Sequence, residues 1–154
     1  QLGGLGASAS RPHFFDAPRK HKEQTKTDAM PKVLIVDDCN TMRVLTSYML
    51  MALGVKPIHA ENGQQALTIC REEMPDAILL DWNMPVMDGP AFQDRLNKLP
   101  NGPTPKVIFC TVEDEFEKIA KAMSAGADGY IIKPFNLSTL SYNLEKAGVL
   151  AGAI

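Results

Sequence analysis

The 154-residue sequence has no apolar run approaching the roughly 18 residues that a membrane-spanning helix needs, and its N-terminus has no secretory hydrophobic segment. It also lacks paired cysteines. Cys39, Cys70 and Cys110 lie far apart, with no C-x-x-C pair and no histidine at metal-ligand spacing. We therefore expect a cytoplasmic protein that does not insert into membranes, with three buried, reduced thiols.

The body of the chain also lacks an excess of basic residues. Residues 31–154 hold eleven Lys and Arg against fifteen Asp and Glu, a net charge of −4. This balance argues against nucleic-acid binding driven by bulk charge. Residues 1–30 differ, because they combine Gly, Ala and Ser with five Lys and Arg and show no helical or strand periodicity. We expect a disordered extension there, or residues that precede a native start at Met30; a basic docking tail is the alternative.

From Lys32 onward, short apolar runs alternate with amphipathic stretches. Continuous apolar runs predict strands that are covered on both faces, at 33–36, 77–80, 107–110 and 130–132, and a weaker run predicts another at 57–60. Cap residues and periodicity predict helices at about 40–53, 63–73, 89–98, 114–125 and 137–147. Five strands alternating with five helices predict an α/β protein, with a parallel sheet wound on both faces. The predicted domain spans 31–149, and 150–154 form a short tail.

Polar side chains follow four of the predicted strands. Asp37 and Asp38 come after the first strand, Asp81 after the third, Thr111 after the fourth and Lys133 after the fifth. In parallel sheets the carboxyl ends of the strands meet at one edge, so these side chains should converge there. Three carboxylates repel one another unless a cation neutralises them, and an oxygen-only ligand set suits Mg²⁺. Lys133 and Thr111 would then contact phosphoryl oxygens, and Asp81 would be the nucleophile that becomes an acyl phosphate.

The segment from 31 to 149 resembles the receiver domain of two-component response regulators, and its pattern is most similar to that of the small chemotaxis regulators. Five separated motifs carry the resemblance, in order: Asp37-Asp38, the run DWNMP at 81–85 with MDG at 87–89, Thr111, Tyr130, and KPF at 133–135. The resemblance implies a flavodoxin-like fold with strand order 2-1-3-4-5. It also implies a phosphorylation-dependent signalling switch rather than an enzyme.

The resemblance further implies a role for each residue of the acidic edge. Asp81 would accept a phosphoryl group from a histidine kinase or a histidine phosphotransfer protein. Mg²⁺ would be bound by Asp38, by Asp81 and by the backbone carbonyl of Asn83, with Asp37 holding the ion through a water molecule. Lys133 would contact the phosphoryl group.

A second set of implied roles concerns the switch. Thr111 and Tyr130 would report phosphorylation to a downstream partner bound on the fourth helix, fifth strand and fifth helix. The Lys133–Pro134 peptide would be cis, as is usual in this family. Val112 departs from the family pattern, in which the residue after the threonine is small, so phosphorylation and dephosphorylation rates cannot be carried over.

Other interpretations remain open at this stage. The chain could be a stand-alone regulator or a receiver excised from a larger one. An aspartyl-phosphate phosphatase would need a D-x-D motif after the first strand and a cap domain, and neither is visible. A flavodoxin-like cofactor site would need a first loop that cradles phosphate, which Asp37 and Asp38 would repel. Among single residues, Asp38 could also cap the first helix, Tyr130 could be core, and Trp82 is a bulky neighbour of the site.

Overall fold

The computed structural model describes residues 30–100, 104–112 and 116–151. Of the predicted extension, only Met30 falls within these ranges, and residues 152–154 of the predicted tail lie outside them. The strands are β1 Lys32–Val36, β2 Lys56–Ala60, β3 Ala77–Asp81, β4 Lys106–Thr111 and β5 Gly129–Ile132. The helices are α1 Asn40–Ala52, α2 Gly63–Glu72, α3 Gly89–Asn97, α4 Phe116–Ser124 and α5 Leu137–Lys146.

The five strands form one parallel sheet in the order β2-β1-β3-β4-β5. This order and the alternation of strands with helices confirm the predicted flavodoxin-like fold. β3 is the central strand, and all five of its residues are buried, as expected for a strand covered on both faces. The sequence predicts that the fourth helix begins at about residue 114. Residues 113–115 lie outside the described residues, and α4 is described from Phe116.

The sheet separates two apolar clusters. Side chains of α2, α3 and α4 pack on one face, and we call this cluster the α2/α3/α4 core. Side chains of α1 and α5 pack on the other face and form the α1/α5 core. Successive strand residues alternate between the two, so that Ile78 and Leu80 enter the first core whereas Ala77 and Leu79 enter the second. Full burial of a side chain such as Leu80 contributes about 1.5–3 kcal/mol.

Helix capping follows the sequence prediction at three places and differs at one. Asn62, Asp88 and Asn136 each accept a hydrogen bond from the backbone N–H three residues ahead, at 2.8 to 2.9 Å. Asp38 does not cap α1. Because that helix begins at Asn40, the capping position falls on Cys39, which makes no side-chain cap. The carboxylate of Asp38 is therefore not engaged as a cap.

The three thiols are free, but they are not all buried. The prediction of burial is wrong for Cys39, which is exposed because it lies in the turn between β1 and α1. Burial raises the pKa of the Cys70 thiol to about 11 and that of Cys110 to about 12, so both stay protonated near neutral pH. Within the described residues, no helix is long and apolar enough to cross a membrane.

Candidate functional site

An acidic cluster lies at the carboxyl edge of the sheet. Asp37 directly follows β1, and Asp81 is the last residue of β3. Asp37, Asp38 and Asp81 each offer one carboxylate oxygen, and these oxygens lie within 4.8 Å of one another. Asp37 and Asp81 are buried, whereas Asp38 is exposed. The structure thus brings together the three carboxylates that the strand pattern predicts to converge.

Lys133, which directly follows β5, also lies in this cluster. Its Nζ donates hydrogen bonds to Oδ2 of Asp37 at 2.9 Å and to Oδ1 of Asp81 at 3.1 Å. Burial alone would lower the pKa of Lys133, but the hydrogen bond that it donates to Asp37 and the negative charge of Asp81 outweigh burial, and the pKa is raised. Burial raises the pKa of Asp81; the positive charge of Lys133 opposes this and the negative charge of Asp37 adds to it. Lys133, Asp37 and Asp81 thus form a group of interacting, largely buried charges.

The turn between β1 and α1 is held from inside by Arg43. Its Nη1 donates to the backbone carbonyl of Asp37 at 2.5 Å, and its Nη2 donates to Oδ1 of Asn40 at 3.0 Å. Oδ1 of Asp37 also accepts the N–H of Cys39 at 2.9 Å. The sequence analysis missed Arg43, which is only 8% exposed. A signal was present, because Arg43 is the one charged residue in the segment 40–52.

Thr111 lies at the same edge of the sheet, but on the other face from Asp81. It ends β4, is buried, and its carbonyl accepts the N–H of Lys133 at 2.7 Å. Pairing of Phe109 with Tyr130 places Tyr130 on the face of the α2/α3/α4 core, and Thr111, two residues beyond Phe109, shares that face. Asp81 pairs with Cys110, which belongs to the α1/α5 core. Thr111 and Asp81 thus approach the edge from opposite faces of the sheet.

An open cleft covers the acidic cluster. It is lined by Asp37, Asp38, Cys39, Met42, Asp81, Asn83, Val112, Lys133 and Pro134. Its volume of about 510 Å³ leaves room for a hydrated cation and a phosphoryl group, since a water molecule occupies about 30 Å³. Val112, the residue that departs from the small side chain of the family pattern, lines this cleft and is 61% exposed. The Lys133–Pro134 peptide is cis, as the resemblance implied.

The loop after β3 packs closely under the site. Trp82 is buried on the side of the α2/α3/α4 core, where its ring lies 4.9 Å from that of Phe109. A Cβ at Gly89 would lie 2.7 Å from the Phe109 ring and 2.8 Å from the carbonyl oxygen of Asp81, so no larger residue fits without movement. Val86 has φ +72°, and the N–H of Met87 donates to the carbonyl of Pro85 at 2.7 Å, which forms a strained γ-turn.

The acidic cluster fits Mg²⁺. The ion prefers oxygen ligands, and Asp37, Asp38 and Asp81 offer three carboxylate oxygens within 4.8 Å of one another. Asp38 and Asn83 line the cleft, and each is exposed. Both oxygens of Asp37 already accept hydrogen bonds, one from Cys39 and one from Lys133. Asp38 is therefore better placed than Asp37 for a direct bond to the metal.

Comparison with known proteins identifies the class. Residues 33–145 match the family model described as the response regulator receiver domain. This chain belongs to that family. Receiver domains are phosphoacceptor proteins of two-component signalling; they bind Mg²⁺ at an acidic pocket and interact with histidine kinases and downstream targets.

Individual relatives place the chain more narrowly. It is 37% identical over 122 residues to chemotaxis protein CheY-3 of Vibrio cholerae, which covers 75% of this chain and 89% of the relative. It is 35% identical over 122 residues to chemotaxis protein CheY of Pseudomonas aeruginosa, covering 75% and 94%. Its fold matches that of chemotaxis protein CheY4 of Vibrio cholerae with a TM-score of 0.73 and 34% identity, over 77% of this chain and 99% of the other. The chain is a CheY-like receiver domain.

Proposed function

We propose that this chain is a phosphorylation switch in which Asp81 accepts a phosphoryl group from a phosphohistidine. The carrying observation is the environment of Asp81, a buried carboxylate at the end of the central strand that is hydrogen-bonded to Lys133 and faces an open cleft. The donor would be a histidine kinase or a histidine phosphotransfer protein.

The reaction needs a nucleophile and the neutralisation of charge. A carboxylate oxygen of Asp81 attacks the phosphorus, the bond from phosphorus to the donor nitrogen breaks, and a mixed anhydride forms on Asp81. Mg²⁺, held by Asp38, Asp81 and the carbonyl of Asn83, with Asp37 acting through water, would neutralise charge on the attacking and transferred oxygens. Lys133, already within hydrogen-bond distance of Asp81, supplies a second positive charge to the phosphoryl oxygens.

The output would pass through Thr111 and Tyr130. Phosphorylated Asp81 would carry a total charge of about −1.5 to −2, by analogy with other phosphorylated side chains, and it would attract nearby donors. Movement of Thr111 toward the phosphoryl group would free space on the face that it shares with Tyr130. Tyr130 is 40% exposed and could then rotate inward. This would change the surface of α4, β5 and α5, where Met123 and Lys121 are exposed.

The names of the relatives favour chemotaxis as the pathway, and the cytoplasm stays the proposed place of action. Both curated relatives described above are chemotaxis proteins. The similarity covers 89% and 94% of the length of these two relatives. A receiver excised from a larger regulator and an aspartyl-phosphate phosphatase are the alternatives, of which the phosphatase is the less supported.

The test is phosphorylation of the full chain by acetyl phosphate with Mg²⁺, followed by intact-mass spectrometry. We expect one added phosphoryl group, which Asp81→Asn abolishes. Asp94→Asn is the matched control, because Asp94 is an exposed carboxylate on α3. Equal labelling of Asp81→Asn and wild type would refute the assignment. Transfer from a purified phosphorylated histidine kinase, rather than from acetyl phosphate, then tests the donor.

A further inference from the structure

Arg43 is a buried cation whose two described hydrogen bonds go to neutral acceptors. One acceptor is the backbone carbonyl of Asp37 and the other is the side-chain amide of Asn40. Burial of a guanidinium is costly in lost hydration, so its hydrogen-bond acceptors matter. One of these acceptors is the backbone of Asp37, whose carboxylate belongs to the acidic cluster. Arg43 is thus bonded to the backbone of the cluster.

The bond to the Asp37 carbonyl has a specific geometric effect. That carbonyl belongs to the planar peptide group that joins Asp37 to Asp38, so fixing its direction fixes the orientation of the plane in which the Cα of Asp38 lies. The second bond reaches Asn40, the first residue of α1. A planar guanidinium makes both bonds at once, which a lysine ammonium on a flexible stem cannot reproduce. Arg43 therefore clamps both ends of the turn 37–40.

We propose that Arg43 is a positioning residue that sets the Mg²⁺ affinity of the acidic cluster by clamping the turn 37–40. The inference rests on the proposed Mg²⁺ site and adds a residue that does not touch the ion. Two effects of Arg43 on the metal are opposed. Its positive charge repels a cation, whereas its hydrogen bonds hold Asp38 ready to bind one. The clamp is the larger effect, because partners that orient a metal ligand commonly change affinity by about 10-fold to 100-fold.

Two variants separate the clamp from the charge. Arg43→Lys keeps the charge but loses the planar fork, and Arg43→Met keeps much of the stem but loses both. Mg²⁺ is titrated into each metal-free protein, with Trp82 fluorescence as the readout, at a temperature where circular dichroism shows the protein folded. Arg71→Met, on α2, is the control because Arg71 is exposed. We expect both Arg43 variants to bind Mg²⁺ at least about tenfold more weakly, and Arg71→Met to match wild type.

The outcomes are distinguishable. Arg43→Lys binding within about twofold of wild type would overturn the clamp, as would tighter binding by Arg43→Met, since either result leaves only a charge effect. Lower stability with unchanged Mg²⁺ affinity would make Arg43 a purely structural residue. If Arg43→Met does not fold, Arg43→Lys decides alone by the same criterion. Failure of wild type to bind Mg²⁺ would instead refute the proposed metal site itself, and the inference with it.

Discussion

The ammonium nitrogen of Lys133 lies 3.1 Å from Oδ1 of Asp81, and each of these side chains is only 11% exposed. The same ammonium reaches Asp37, so one cation holds two buried carboxylates. Removing one partner of a buried pair usually costs more than the pair itself contributes, because the other charge is left uncompensated. Stability without metal should therefore depend on Lys133.

Lys133→Met should lower the free energy of unfolding by about 3 kcal/mol in the presence of a chelator. Mg²⁺ should recover much of this loss, because the ion neutralises the carboxylates that Lys133 leaves behind. Urea unfolding with and without Mg²⁺ measures both effects. Lys98→Met removes an exposed lysine that pairs with Asp94 on the surface and should cost less than about 1 kcal/mol. Equal losses in the two variants would contradict a buried charge network.

The raised pKa of Asp81 gives a pH-dependent prediction. A carboxyl group with a raised pKa in the folded state binds its proton more tightly there than in the unfolded chain. Its contribution to stability is therefore complete below the unfolded pKa and is lost as the pH rises through the folded pKa. Asp81→Asn cannot ionise, so in chelator at pH 7 it should be more stable than wild type by about 1 kcal/mol.

The advantage of Asp81→Asn should shrink as the pH falls toward about 3, where wild-type Asp81 is also neutral. Urea unfolding of both proteins from about pH 3 to 7 measures this difference. An advantage that grows on acidification would mean that Lys133 lowers the pKa of Asp81 more than burial raises it.

Asp38 and Asp37 should differ in their effect on Mg²⁺ binding. Asp38 is exposed and lines the cleft, whereas both oxygens of Asp37 are engaged by protein donors. Asp38→Ala should weaken Mg²⁺ binding by at least about tenfold, and Asp37→Ala should weaken it less while costing more stability. Trp82 fluorescence titration and urea unfolding measure the two quantities. An Asp38→Ala titration that matches wild type would remove Asp38 from the metal site.

The proposed partner-binding surface of α4, β5 and α5 predicts a pattern of amide chemical-shift changes. Beryllofluoride, a mimic of the phosphoryl group, should shift amides of α4, β5 and α5 in wild type, and Thr111→Ala should reduce those shifts while keeping the changes at the acidic cluster. Some inward Tyr130 should exist before activation, because a ligand only shifts an existing equilibrium. Changes confined to α1 and α2 beyond the metal site would contradict this route.

Gly89→Ala tests the packing beneath the site. The added methyl group would meet the Phe109 ring at 2.7 Å and the Asp81 carbonyl at 2.8 Å, so it should lower the free energy of unfolding by about 1–3 kcal/mol. Gly129→Ala is the control, because the nearest atom to its Cβ is 3.6 Å away. Thermal or urea unfolding compares the two variants. Similar stability in both would mean that the loop after β3 relaxes freely.

Much of the fold was predictable because local signals agreed with the tertiary structure. Continuous apolar runs marked the buried strands. Asn62, Asp88 and Asn136 marked helix starts, because a capping side chain bonds a backbone N–H only three residues ahead. The acidic cluster was predictable for a similar reason. The carboxyl ends of parallel strands share one edge, so the residues after each strand converge without any knowledge of side-chain packing.

Other features depend on tertiary contacts that no local pattern encodes. An arginine on a helix is normally exposed, and the burial of Arg43 depends on an acceptor that the end of β1 provides. The exposure of Cys39 and the failure of Asp38 to cap α1 both follow from the start of the helix at Asn40, which leaves Cys39 at the capping position. The pairing register of β4 was needed to predict that Thr111 and Asp81 approach the edge from opposite faces of the sheet.

The sheet between the two cores acts as a partition within the domain. The Asp81 side chain lies on the α1/α5 side, while Thr111, Tyr130 and Trp82 belong to the other side. A change at Asp81 therefore reaches the opposite face of the sheet through the backbone where β3 and β4 end. Trp82 directly follows Asp81 on that backbone, so its fluorescence should report Mg²⁺ binding at the acidic cluster from the far face of the sheet.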